Sequence, residues 1–144
     1  MRCRELMKTD VKFLWASTTI SEAACLMRDS SVGFLPVCDS GKHVIGTLTD
    51  RDMVVRGIAA GVGPYSPVSA IMTNDELVAC KPDDDVRVAE DHMARAKVSR
   101  ILVVDEDFRL QGVISLSDVV RRDRARAGAT LEAVASRESR PSFD

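Results

Sequence analysis

The sequence predicts an α+β fold made of two copies of one β-α-β-β-α unit, and three observations predict it. The first is an internal repeat: a shift of 66 residues lays positions 23–56 on 89–122 without a gap. Ala23/Ala89, Met27/Met93, Val32/Val98, Val37/Val103, Asp39/Asp105, Gly46/Gly112, Asp52/Asp118, Val54/Val120 and Arg56/Arg122 are then identical. The second is that strand-sized apolar runs and helix-period stripes follow one another in the same order in both copies. The third is size. A chain of 144 residues buries one substantial core, and repeats of roughly 60 residues are each marginal alone. The two repeats are therefore expected to share a core as one pseudo-twofold module. The expected boundaries are 1–64 and 65–127 for the repeats, with 128–144 a partly disordered tail.

In the first copy, residues 13–17 read as a short strand. Thr19-Ile-Ser-Glu22 has capping-box spacing, and Ile20, Ala23, Ala24 and Met27 mark one face of a helix that stops before Gly33. Residues 34–38 and 43–49 are apolar runs separated by the turn residues Asp39-Ser-Gly-Lys42, which predicts a hairpin. A second helix follows Thr49 and carries Met53, Val54, Ile58 and Ala59, before a linker punctuated by Gly61, Gly63, Pro64 and Pro67. The second copy repeats this order. Residues 77–80 form the short strand, Asp85 caps a helix bearing Val86, Ala89 and Met93, and runs 100–104 and 110–115 flank Asp105-Glu-Asp107. A helix from Ser117 toward Arg126 closes the copy, and 130–136 forms a separate short one. Met27, Met53 and Met93 are candidate core or dimer-interface residues.

Composition narrows the function. The net charge of −2 gives no basic field for nucleic acid or anionic membrane. The apolar runs are strand-sized and the N-terminus Met-Arg-Cys-Arg-Glu lacks a signal-peptide core, which predicts a soluble cytoplasmic protein. Cys3, Cys25, Cys38 and Cys80 form no CxxC pair, and His43 and His92 do not align between copies, so no metal site is expected.

One pattern carries chemistry. Gly46-Thr-Leu-Thr49-Asp-Arg51-Asp52 and Gly112-Val-Ile-Ser115-Leu-Ser-Asp118 each end a strand on a hydroxyl residue and place an acid three positions later, on the first turn of a helix. A Ser or Thr cap with an acid at N3 satisfies free amides by itself. The same geometry suits a nucleotide. A helix N-terminus attracts phosphate, an acceptor-only carboxylate matches ribose hydroxyls, and Gly46 and Gly112 admit close approach of a ligand to the backbone.

With these endings, the duplicated β-α-β-β-α unit and the strands Leu35-Pro-Val-Cys-Asp39 and Ile101-Leu-Val-Val-Asp105, the chain resembles a tandem pair of cystathionine β-synthase (CBS) domains, a Bateman module of the stand-alone bacterial type. The resemblance spans about residues 3–127. It implies a non-enzymatic regulatory or signal-transducing sensor that binds AMP, ADP, ATP, NAD or S-adenosylmethionine in clefts between the repeats, with no obligatory cofactor. It implies that Asp52 and Asp118 hold ribose hydroxyls, that Thr49 and Ser115 face phosphate, and that adenine inserts near Thr9, Val11, Val32 and Gly33. It also implies a homodimer and an effector protein that reads the ligand-bound state. Arg100 is a phosphate candidate whose counterpart is Phe34, and Arg51 is one with no basic residue at the equivalent position, so the two sites are expected to be unequal.

Two other classes compete. A nucleotide-processing enzyme would need a positioned nucleophile, base or metal cluster, which the sequence does not offer. A nucleic-acid-binding or structural dimer would use Arg121, Arg122, Arg124 and Arg126, but Asp118 and Asp123 dilute that run and no aromatic residues accompany it.

Overall fold

The computed structural model describes residues 1–136, and the part of the expected tail at 137–144 lies outside the described residues. The order is α1 (Cys3–Leu6), β1 (Leu14–Trp15), α2 (Ile20–Ser30), β2 (Phe34–Cys38), β3 (Val44–Thr49), α3 (Asp50–Asp52), β4 (Ala79–Cys80), α4 (Val86–Ala96), β5 (Arg100–Val104), β6 (Leu110–Ser115), α5 (Leu116–Arg122) and α6 (Arg124–Ala135). A π-helical stretch, Met53–Ile58, continues α3, and a short 3₁₀ turn spans Val68–Ala70. The duplicated β-α-β-β-α order is therefore present, as an α+β fold with two three-stranded sheets ordered β1-β2-β3 and β4-β5-β6.

The chain divides into two compact units that trade their leading segments. One unit combines residues 12–77 with 108–110; the other combines 1–11 and 78–107 with 111–136 of the described residues. The segment ahead of each repeat thus belongs to the unit of the other repeat.

In the unit of the first repeat, β1 runs parallel to β2, and β2 pairs antiparallel with β3 from Phe34↔Thr49 to Cys38↔Val44. Thr19 caps α2, its hydroxyl accepting the Glu22 N–H at 3.1 Å. Ser31 ends the helix in the left-handed region at φ 53°. Leu14, Ile20, Ala23, Met27, Leu35, Val37, Leu48, Val68 and Ile71 form the core, so Ile20, Ala23 and Met27 of the stripe read from α2 face inward, whereas Ala24 is exposed one position past Ala23. Met27 is a core residue, and Met53 packs against the same cluster.

The unit of the second repeat follows the same plan. Asp85 caps α4 through the Arg87 N–H at 3.0 Å, Lys97 ends it at φ 56°, and β4 runs parallel to β5. Its core joins Val86, Ala89, Met93, Ile101, Val103, Ile114 and Val119 to Cys3 and Cys80. The repeated Asp39 and Asp105 prove to be turn residues. Asp39 Oδ1 accepts the Gly41 and His43 N–H groups, and Asp105 Oδ1 accepts that of Asp107. Lys42 and Phe108, equivalent in the two hairpins, both take positive φ, 66° and 63°.

The two helical ends depart from the sequence reading. After one α turn at Asp50–Asp52, the first repeat opens into the π-helix. Gly57 is buried there, with Ile71 Cδ1 3.7 Å from where a Cβ would sit. In the second repeat no helix runs through to Arg126. Asp123 is extended at φ −147° and ψ 96°, and a new helix, α6, begins at Arg124. Residues 128–135, expected to belong to a partly disordered tail, lie within it. Gly128 costs a helix interior about 1 kcal/mol, but α6 packs on α4 and α5 and buries Thr130 and Val134, so tertiary burial outweighs propensity.

Met93 is fully buried at the centre of the second core. Met93→Ala should cost about 2–5 kcal/mol of folding free energy, read as a lowered urea midpoint with little change in slope.

Candidate functional site

The two repeats build the same strand-to-helix junction. At the end of β3 the Thr49 hydroxyl accepts the Asp52 N–H at 3.1 Å, and Asp52 Oδ2 accepts the Thr49 N–H at 3.0 Å. At the end of β6 Ser115 and Asp118 make the same reciprocal pair, at 3.2 Å and 2.9 Å. The Ser115 hydroxyl also donates to Asp118 Oδ2 at 2.8 Å. The capping reading is therefore met in both copies. It occupies only one oxygen of each carboxylate, Oδ2, and leaves Oδ1 to other partners.

Those partners come from a segment the sequence reading did not single out. Thr73 and Thr47 exchange both backbone hydrogen bonds at 2.9 Å, and Lys8 and Val113 do the same at 3.0 Å. This brings the Thr73 hydroxyl to 3.5 Å from Asp52 Oδ1, and the Lys8 ammonium to 3.5 Å from Asp118 Oδ1. Arg56 lies 4.0 Å from Asp52 Oδ1, and Arg121 lies 3.8 Å from Asp118 Oδ1. Met7-Lys8 and Met72-Thr73 recur at a spacing of 65 rather than 66. The one-residue offset kept them outside the ungapped repeat, although the paired methionines were a usable signal.

These segments also correct the role given to the two glycines. A Cβ at Gly112 would lie 2.7 Å from the Lys8 carbonyl oxygen, and one at Gly46 would lie 3.0 Å from that of Thr73 and 2.6 Å from the Met72 sulfur. The space that glycine provides is filled by the protein's own chain, not left for a ligand.

The remaining candidates fall around these junctions. In the unit of the first repeat, the Gly33 carbonyl accepts the Asp50 N–H at 3.1 Å, which sets Val32 and Gly33 beside the start of α3. A Cβ at Gly33 would come 2.9 Å from Asp50 Oδ2. Arg51 is exposed on the first turn. In the other unit, the Ser99 carbonyl accepts the Leu116 N–H at 2.8 Å, which sets Arg100, exposed at the first position of β5, beside α5. Thr9 is exposed next to Lys8, and Val11 is half-buried. The structure thus assembles Thr49, Arg51, Asp52, Val32 and Gly33 with Thr73 in one unit, and Ser115, Asp118, Arg100, Thr9 and Val11 with Lys8 in the other. A groove of about 290 Å³ between Met1, Val86, Glu90 and Val119 contains none of them.

The electrostatics of the junctions differ. Asp118 is 7% exposed. Burial pushes its carboxyl up, but the Ser115 N–H and hydroxyl and the Lys8 ammonium outweigh that and hold it below the ordinary carboxylate range. Asp52 has a neutral hydroxyl where Asp118 has an ammonium. Among the described residues, no group of three or more His, Cys, Asp and Glu side chains gathers to hold a metal ion.

The CBS domain signature matches residues 3–56 and 68–125, and the chain belongs to the CBS domain family as a CBS domain pair. It is 36% identical over 116 residues to the CBS domain-containing protein YhcV of Bacillus subtilis, covering 81% of both chains. It is 30% identical over 118 residues to hypoxic response protein 1 of Mycobacterium tuberculosis, covering 82% of both. The solved structure of the CBS domain protein PAE2072 from Pyrobaculum aerophilum, complexed with AMP, superposes with a TM-score of 0.75 at 25% identity, over 94% of this chain and 99% of that one.

Two measurements follow from the junction geometry. Ser115→Ala removes a cap and should destabilise the fold by about 0.5–2 kcal/mol, visible in chemical denaturation. Asp118 has a folded pKa below its unfolded one. Its ionised form therefore contributes stability above the usual carboxylate range, and that contribution is lost as pH falls through the folded value. Denaturation midpoints of wild type and Asp118→Asn should converge on acidification and separate again toward neutral pH.

Proposed function

We propose that this chain is a non-enzymatic regulatory module that binds adenosine-containing ligands, with AMP, ADP, ATP, NAD and S-adenosylmethionine as the candidate set. The observation that carries the reading is the pair of aspartates, each fixed by a cap through Oδ2 and holding Oδ1 in loose contacts of 3.5–4.0 Å. Such contacts are long for hydrogen bonds, and a ribose diol would replace them with two short ones to an acceptor-only oxygen. The AMP complex of the Pyrobaculum protein supports the ligand class. In this reading the repeats at 1–64 and 65–127 each contribute one junction. Asp52 and Asp118 hold ribose, Thr49 and Ser115 face phosphate, and Arg51 and Arg100 extend toward further phosphates. Thr9, Val11, Val32 and Gly33 border the base.

The module acts as a cytoplasmic homodimer and signals to an effector protein. Val54, Val55 and Ile58 are 56%, 48% and 78% exposed on the π-helix, a cluster of apolar side chains that a second copy would cover. Among the described residues no helix is long and apolar enough to cross a membrane. A ligand changes the state that the effector reads only through its different affinity for the available states.

Three experiments test this reading. Thermal melts with the five ligands should show at least one raised midpoint, since a ligand at a hundredfold excess over its Kd adds roughly 2.7 kcal/mol. Asp52→Asn and Asp118→Asn should each weaken binding in calorimetry. Unchanged affinity in both variants would reduce the aspartates to helix caps. Light scattering should give twice the 15.7 kDa chain mass, falling to one chain in Ile58→Glu; a monomeric wild type would remove the dimer.

A further inference from the structure

Cys3 and Cys80 are 77 residues apart in sequence, yet their sulfur atoms lie 3.6 Å apart. They join α1 to β4 within one unit, and they are 0% and 4% exposed. The backbone around Cys3 is fixed by three hydrogen bonds. Its N–H donates to the Asp84 carbonyl at 2.8 Å, the Arg4 N–H to Pro82 at 2.9 Å, and the Val86 N–H to Met1 at 2.9 Å. The proximity of the two thiols is therefore held by both flanks. Cys25 is exposed on α2, and Cys38 is buried in the other unit.

We propose that Cys3 and Cys80 form a reversible oxidation site, a dithiol that hydroperoxides convert to an intramolecular disulfide. The Cys3 thiolate attacks the terminal oxygen of the peroxide. The O–O bond breaks, Cys3 becomes a sulfenic acid, and water or an alcohol leaves. The Cys80 sulfur then attacks the Cys3 sulfur. The S–S bond forms, the S–O bond breaks, and the departing hydroxide leaves as water with the Cys80 proton. Two electrons pass from the two thiols to the peroxide. A small dithiol reverses the step by exchange, becoming oxidised itself as both cysteine thiols are regenerated.

The geometry assigns the roles. The Cys80 S–H donates to the Cys3 sulfur, which favours the Cys3 thiolate and holds its thiol below the ordinary range, while the same bond raises that of Cys80. Cys3 attacks and Cys80 resolves. By contrast, burial pushes the Cys38 thiol up to about 11, which suppresses its reactivity. Access comes through α1, a single turn of four residues, the kind of short element that opens locally at lower cost than the core. The reaction is accordingly slower than at a fully exposed thiolate.

The consequence is mechanical. α1 leads directly into Met7-Lys8, which pairs with β6 and sets the Lys8 ammonium beside Asp118. A bond from Cys3 to β4 ties this segment to the sheet and prevents its release.

The test is thiol mapping of the full chain. Protein exposed to hydrogen peroxide is alkylated, and its intact mass and tryptic peptides are measured. The expected result is loss of two of the four thiols, a peptide bearing Cys3 linked to one bearing Cys80, and full reversal by dithiothreitol. The link should persist in the Cys25→Ser/Cys38→Ser double variant and vanish in Cys3→Ser. Hydrogen exchange of residues 1–8 should slow in the oxidised form. The proposal is overturned if peroxide consumes Cys25 alone, if Cys3 proceeds to sulfinic acid without linkage, or if the recovered links join separate chains. The wild-type peptide map decides the matter even if the Cys3→Ser variant folds poorly.

Discussion

Each candidate site depends on a close approach of two backbones. Lys8 lies against β6 and Thr73 against β3, each through two hydrogen bonds to the residue that follows a glycine, Val113 after Gly112 and Thr47 after Gly46. With any larger residue at Gly112, the Lys8 carbonyl oxygen would sit 2.7 Å from a Cβ, a separation that forces the segment off the strand. Everything else in the site follows from that docking. It delivers Lys8 to Asp118 and Thr73 to Asp52, and it makes each unit from the body of one repeat and the leading segment of the other.

The caps then decide what the aspartates offer. A carboxylate free to rotate presents either oxygen, whereas one that accepts a backbone N–H in a capping box has a fixed inner oxygen and a fixed outer one. Asp118 is fixed further by the Ser115 hydroxyl, which donates to it at 2.8 Å. In the proposed reading, capping and recognition are one arrangement: the cap orients the acceptor that a ribose would use, at little added cost in side-chain entropy on binding.

The fold was largely legible because the duplication made each weak signal appear twice. The α2 and α4 stripes, the caps at Thr19 and Asp85 and both hairpin turns stand where the residues indicated. What escaped was non-local. The π-helix at Met53–Ile58 buries Gly57 near Ile71, fourteen residues on, a contact that local periodicity does not report. The merger of 128–135 into α6 depends on burial of Thr130 and Val134 against other helices, which overrides the punctuation at Gly128. At the site, Thr49, Asp52, Ser115 and Asp118 were visible because cap and acid share one turn. Lys8 and Thr73 were not, because they reach those acids by strand pairing across 110 and 21 residues of sequence.

The two junctions therefore share a frame and differ in charge, and the difference has a direction. At Asp118 a ligand hydroxyl must compete with an ammonium that already neutralises part of the carboxylate, and the displaced Lys8 remains tethered by its backbone to Val113. Its ammonium, on a flexible stem, is left within reach of whatever entered, so a ligand with an anionic group recovers the lost ion pair while a neutral nucleoside does not. At Asp52 the competitors are the neutral Thr73 hydroxyl at 3.5 Å and, at 4.0 Å, the Arg56 guanidinium, so no ammonium is carried in by the docked segment. In the proposed reading, the second repeat's junction would therefore favour phosphorylated ligands, through a cation that strand pairing keeps beside the carboxylate.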